Sequence, residues 1–149
     1  MNKTLINNWN NTVKPKDTVY ILGDFGDLNY AKFLNGYKIF IRGNYEYQKS
    51  EEELKEYFDV VIPSHKINVP IEHDNKLYHL EMTHEPKNIV SELSENHINL
   101  FGHIHKLCMI KPYGINVGAD CHNFTPISFE VVLHYHNGIL NFYDNNVLY

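Results

Sequence analysis

The residues of this 149-residue chain whose types and spacing best suit chemistry are Gly102-His103-Ile104-His105. They close the apolar run Ile98-Asn99-Leu100-Phe101. Residues i and i+2 of a strand point to the same side, so at a strand end the two imidazoles converge on one place. Imidazole is the commonest protein ligand for a transition metal. Three further polar pairs follow strand-like segments: Gly23-Asp24, Gly43-Asn44 and Thr83-His84. Asp24, Asn44, His84, His103 and His105 together make a mixed oxygen and nitrogen donor set. Such a set suits manganese, iron, zinc or nickel better than a thiolate site would. A carboxylate is the ligand type able to bridge two metals, which makes Asp24 the natural centre. Taken singly, each is an ordinary residue, because Asp and Asn favour turns and caps and the chain holds ten histidines. Five in this order, each at a strand end, is a pattern that turn preference does not generate.

Such residues need elements that deliver them to one edge. Leu5, Ile6, Trp9 and Val13 recur at helical spacing, predicting an amphipathic helix over 2–12 that Pro15 ends. Residues 17–22 and 37–41 read as strands, with a short helix over 28–34 between them closed by Asn35-Gly36. Ser50 with Glu53 forms a capping box, predicting a helix over 51–58 whose acidic first turn suits the helix dipole. Val60-Val61-Ile62 is a short strand, and 66–72 with 76–83 form a hairpin around His73-Asp74-Asn75. A helix is expected over 88–95, and further strands over 98–101 and 114–120. Residues 129–135 and 139–143 flank Asn137-Gly138, a strong type I′ hairpin signal. Strands and helices alternate with a glycine at most breaks, which predicts a single domain of layered α/β (α+β) fold. In such folds ligands collect outside the carboxyl ends of strands.

The composition fits one domain with a real core: 43% hydrophobic and 21% charged residues. A formal charge of −5 argues against a broad basic face, so nucleic acid is expected only as a substrate. The chain has no run of 18 apolar residues and an N-terminus without a signal-peptide core, so neither membrane nor export is expected. Cys108 and Cys121 fit no zinc spacing and are expected to be buried free thiols, which points to the cytoplasm. Tyr20, Phe40, Tyr78 and Phe101 are expected in the core.

The chain resembles the calcineurin-like metallophosphoesterase family, and within it the small bacterial and phage-type members. The resemblance rests on Gly23-Asp24, Gly43-Asn44-Tyr45-Glu46, the isolated His84, Gly102-His103-Ile104-His105 and Asn116-Val117-Gly118-Ala119-Asp120. It also takes in Thr4 to Asn10, and so covers nearly all of the chain. It implies a β-sandwich flanked by helices and hydrolysis of a phosphomonoester or phosphodiester by a two-metal mechanism. In that mechanism the cations polarise the phosphate and activate water. Asp24 would bridge two metals, Asn44, His84 and His103 would complete the shell of one, and His105 would belong to the other. The catalytic assignment falls on Asn44, Tyr45 and His105.

Two departures shape the expectation. The family's pattern opens with a strand ending in Asp-x-His, and this sequence has no Asp-x-His before Asp24. One metal would keep only Asp24 and His105, while the other keeps all four ligands. Absence of that strand would bare a sheet edge, leading to a homo-oligomer or to a C-terminal strand shifted into the gap; the third alternative is that Met1 is not the native start and the strand is encoded upstream. Tyr45 stands where the family has a histidine that protonates the leaving group. A phenol, with a pKa near 10 against about 6.5 for imidazole, is a poor acid at neutral pH. Two readings follow: a metal-dependent phosphoesterase, and a truncated or degenerate relative that holds one metal or none and acts as a binding module. His122 lies near the site in chain order and is read as a loop histidine. Arg42 is read as a strand-end salt bridge, with phosphate contact as the alternative. His65, His73, His79, His97, His134 and His136 are read as half-exposed strand or loop residues.

Overall fold

The computed structural model describes residues 3–23, 25, 27–42, 49–64, 66–102, 110–118 and 125–142. Helix α1 (Lys3–Thr12) buries Trp9, with Val13 buried just beyond it. The Trp9 indole donates to the Asn35 carbonyl at 2.9 Å, and Asn10 bonds both Asn35 N–H (2.8 Å) and the Phe33 carbonyl (2.7 Å). These bonds fix α1 to the 3-10 helix Leu28–Phe33, which Asp27 caps by accepting from Asn29 N–H. Gly36 follows with φ +104; a side chain there would strike Val13 at 2.9 Å, so glycine serves both the turn and the approach of α1.

Strands β1 (Thr18–Ile21), β2 (Tyr37–Ile41) and β3 (Val60–Ile62) form a parallel sheet in that order. Between β2 and β3 lies α2 (Glu51–Leu54), where the Ser50 hydroxyl accepts from Glu53 N–H at 3.1 Å. Ser50 is therefore the N-cap expected, with this half of the capping box observed, but the helix is one turn rather than the two expected. Its bonds pass into turn geometry as Tyr57 and Phe58 both donate to Leu54.

The second sheet has the order β4-β5-β6-β8-β7. β4 (Lys66–His73) and β5 (Lys76–Thr83) form the expected hairpin, turning through Asp74 (φ 49) and Asn75 (φ 64), the two positive values a type I′ turn requires. β6 (His97–Phe101) runs parallel to β5, and β8 (Gly114–Asn116) parallel to β6. β7 (Ile110–Lys111) closes the sheet antiparallel to β8. The strand expected over 114–120 ends, as a strand, at Asn116, whose side chain then bonds Gly118 N–H at 2.9 Å.

Two expectations fail, each for a visible reason. Residues 129–143 are not a hairpin: Phe129–Phe142 is the helix α3, and no C-terminal strand from these residues fills a gap in either sheet. Val132, His136 and Ile139 share its buried face, and Ser128 accepts from Val131 N–H at its start. The helix over 88–95 is absent beyond a 3-10 turn at Pro86–Asn88. Buried side chains serve the backbone there instead. Glu81 accepts from Ser91 N–H, Asn99 donates to Ser91 carbonyl at 2.8 Å, and His136 bonds the Ser94 carbonyl at 2.7 Å. His136 is thus buried at 1% exposure, not half-exposed. His79 and His134 are exposed and His73 and His97 half-buried.

The strand alternation sorts the core into two. Val19 and Ile21 face a cluster with Trp9, Val13, Phe40 and Phe58, whose last two rings stack at 4.2 Å. Tyr20, Leu22 and Ile41 face the second sheet, meeting Leu80, Met82 and Leu100. The molecule is thus α+β, with two sheets face to face and helices outside. Phe40, Phe101 and Tyr78 are buried as expected, Tyr20 only half so. Among the described residues no helix is long and apolar enough to cross a membrane.

Candidate functional site

In the first sheet Ile21 lies opposite Phe40, so Gly23 and Arg42 leave it side by side. In the second, Thr83 lies opposite Phe101, so His84 and Gly102 leave it side by side. Gly102 N–H donates to the His84 carbonyl at 3.0 Å, which carries the parallel pairing one residue past the strands. Val117 N–H donates to the Phe101 carbonyl at 2.9 Å and extends β8 to the same rim.

The two rims meet at one contact. His84 Nδ1 lies 2.6 Å from the Leu22 carbonyl oxygen, with the histidine 1% exposed. Gly102 lies against the same carbonyl: a Cβ on it would sit 3.4 Å from Leu22 O and 3.7 Å from His84 O. Leu22, two residues before Asp24, and Gly102, immediately before His103, are therefore neighbours across the sheet-to-sheet junction, and His84 bonds the same Leu22 carbonyl. Arg42 begins the segment leading to Asn44. The strand ends at Gly23, Arg42, His84 and Gly102, which precede or hold the residues named from sequence, thus lie along one junction.

The contact also sets the chemistry of the ring. A carbonyl oxygen only accepts, so His84 Nδ1 carries hydrogen, and in the neutral imidazole Nε2 then bears the lone pair. A ligating histidine almost always gives its other N–H to a carbonyl or carboxylate in this way, which holds the ring and raises its basicity. His84 fits a metal ligand on that ground. Asp24, Asn44, Tyr45, His103 and His105 lie outside the described residues, as do His65, Cys108, Cys121 and His122. Among the described residues no group of three or more His, Cys, Asp or Glu is placed to hold a metal.

Arg42 has a backbone partner among the described residues. Its guanidinium donates to the Lys49 carbonyl, and its Nε is buried without a partner among the described residues. No described carboxylate pairs with it. The buried polar side chains Glu81, Asn99 and His136, each at or below 1% exposure, were not singled out by sequence. The available signal was their position: Glu81 between Leu80 and Met82, and Asn99 between Ile98 and Leu100.

Across 146 residues the chain is 31% identical to a protein of Methanocaldococcus jannaschii described as "Uncharacterized protein MJ1445", a match covering 89% of this chain and 73% of that protein. No family model and no solved structure matches the chain.

Proposed function

The chain belongs to the family of that archaeal protein, and we propose that it is a metal-dependent phosphoesterase of the calcineurin-like class, hydrolysing a phosphomonoester or phosphodiester. The observation that carries this reading is the His84 contact: a buried imidazole at the junction of two strand-end rims, its Nδ1 committed to the Leu22 carbonyl at 2.6 Å. Two face-to-face sheets with outer helices support the corresponding β-sandwich architecture. Asp24, Asn44, His84, His103 and His105 would hold the cations. Manganese, iron, zinc and nickel all accept such oxygen and nitrogen donors. Bound cations supply Lewis acidity toward phosphate oxygens and lower the pKa of water from about 15.7 toward 7.

The chain's own residues hold the geometry. Leu22 fixes the His84 tautomer through its carbonyl, and burial keeps water from competing for that bond. Arg42 ties the end of β2 to the Lys49 carbonyl. Tyr45 is suited to donate a hydrogen bond to a phosphate oxygen rather than to protonate a leaving group at neutral pH, given a phenol pKa near 10.

Elemental analysis of the purified chain, paired with hydrolysis of bis-p-nitrophenyl phosphate in manganese, tests the reading. Bound metal and turnover, both abolished by Asp24→Ala, are the expected result. Metal without turnover, or neither, would overturn it in favour of a relative that keeps the fold as a binding module.

A further inference from the structure

The described lysines divide by where they stand. Lys49 and Lys55 meet Glu53 and Glu51 one helical turn away, and Lys66, Lys76 and Lys87 meet Glu81, Glu95 and Glu85. Lys14, Lys16 and Lys32 are exposed, and none has a carboxylate partner among the described residues. Lys3 and Lys111 are also without one, but they stand apart, on the first turn of α1 and on β7.

Lys14, Lys16 and Lys32 gather at one end of the molecule. Thr18 lies opposite Tyr37 in the parallel pair β1 and β2, so the connections that enter these strands run side by side at the amino end of the sheet. Tyr37 N–H donates to the Asp17 carbonyl at 2.7 Å, and the Asn35 side-chain amide donates to the Val13 carbonyl at 3.1 Å. Lys14 and Lys16 belong to the first connection. Lys32 and Phe33 end the 3-10 helix that leads into the second. Gly23, Arg42, His84 and Gly102 lie at the other, carboxyl end of their strands.

Exposed rings accompany these charges. Phe33 is 63% exposed and Tyr37 49%, and the Lys32 ammonium lies 5.6 Å from the centre of the Tyr57 ring. One exposed apolar side chain is ordinary. Two bare rings among three unneutralised ammonium groups, in a chain of net charge −5, are a local exception to its composition. The carboxylates at this end are Asp17 and Asp59, and each already accepts from a backbone N–H, those of Lys14 at 2.9 Å and Lys38 at 2.7 Å.

Ammonium groups attract phosphates and carboxylates alike, so the rings decide the occupant. An unpaired base has a flat face that stacks on an aryl ring, and its backbone carries the anion. An acidic peptide supplies the anion and leaves the rings in water. We infer that the surface formed by Lys14, Lys16, Lys32, Phe33 and Tyr37 binds single-stranded nucleic acid, with phosphates on the lysines and bases on the two rings. The inference does not rest on the phosphoesterase reading, because this surface is at the end of the sheet away from the candidate site.

The test follows the anisotropy of a fluorescein-labelled thymidine oligonucleotide of about twelve bases, titrated with the whole chain in EDTA so that no metal-dependent turnover intervenes. Three ammonium contacts predict a salt slope of about 2, at about 0.7 for each contact, and so at least about tenfold weaker binding at 200 mM than at 50 mM salt. Phe33→Ala and Tyr37→Ala should each weaken binding about fivefold or more, with an unchanged urea midpoint because both rings are exposed. Lys14→Gln with Lys16→Gln should reduce the slope to about 0.7. Absence of saturable binding would overturn the inference. Equal affinity for an abasic strand of the same length would also overturn it, since charge alone would then suffice. Equal or tighter binding of polyglutamate or of phosphatidylserine vesicles would assign an acidic protein or a membrane instead. Binding lost in His84→Ala but kept in Phe33→Ala would place the strand in the candidate site and likewise overturn it.

Discussion

Two histidines, His84 and His136, are each 1% exposed and each bonded to a backbone carbonyl, yet they are opposite tautomers. His84 donates through Nδ1 to Leu22, which leaves that ring nitrogen committed to the backbone at the rim where strand ends converge. His136 donates through Nε2 to Ser94, and its Nδ1 is buried without a partner. The first ring is anchored from behind, as a ligand is. The second uses its bond to pin the irregular segment 89–96 beneath α3 and keeps an unmatched acceptor as the consequence. Equal burial therefore conceals different work: at the rim the backbone serves the histidine, and under α3 the histidine serves the backbone.

The strongest way to break that contrast is His84→Ala. Groups that merely support a ligand cost about 10–100-fold in metal affinity, so loss of a ligand should exceed this and abolish manganese-dependent hydrolysis. Elemental analysis and phosphodiester turnover check it; retained metal would place His84 with His136 as structural. The converse substitution, His136→Leu, should leave metal content unchanged and lower stability by about 1–3 kcal/mol, because the Ser94 carbonyl loses its donor. Urea unfolding measures that.

A pH series sharpens the contrast further. Burial lowers the His136 pKa from its ordinary 6.5, the Ser94 bond pulls it back up, and nearby His97 adds to the lowering. Above the ordinary value neither folded nor unfolded chain protonates this ring. As pH falls through 6.5, the unfolded chain takes the proton first and stability declines until the lower folded value is reached. The decline from this one ring is at most about 1.4 kcal/mol per pH unit. His136→Leu should flatten the curve between pH 7.5 and 5.5 by up to that amount; parallel curves would show that the folded ring protonates freely. The smallest effect expected is in α3 itself. Nothing lies within 4 Å of a Cβ built on Gly138, so Gly138→Ala should stabilise by about 0.4–1 kcal/mol. Destabilisation by that substitution would favour a turn over a helix there.

Gly138 also shows where sequence was misleading. Asn137-Gly138 has stronger hairpin chemistry than Asp74-Asn75, yet only the latter turns. The flanks decide: Val69, Ile71, Tyr78 and Leu80 alternate, whereas Phe129, Val132, His136 and Ile139 recur at three and four residues, the helical period. Reading β-branched and aromatic content ahead of that period gave the wrong element. Residues 88–95 failed differently, because what holds them is supplied by Glu81, Asn99 and His136 from other elements. The strand ends were legible because each needs only an apolar run and a break. The His84 tautomer was not, since its partner lies 62 residues away.

That separation has a kinetic consequence. Each sheet can assemble its strands from nearer neighbours, but the Leu22–His84 bond closes only when one sheet docks on the other. Long-range contacts are among the slow steps of folding, because chain entropy is spent before they form. The rim should be the last part of the molecule to mature, and acquisition of metal during refolding would time the docking of the two sheets.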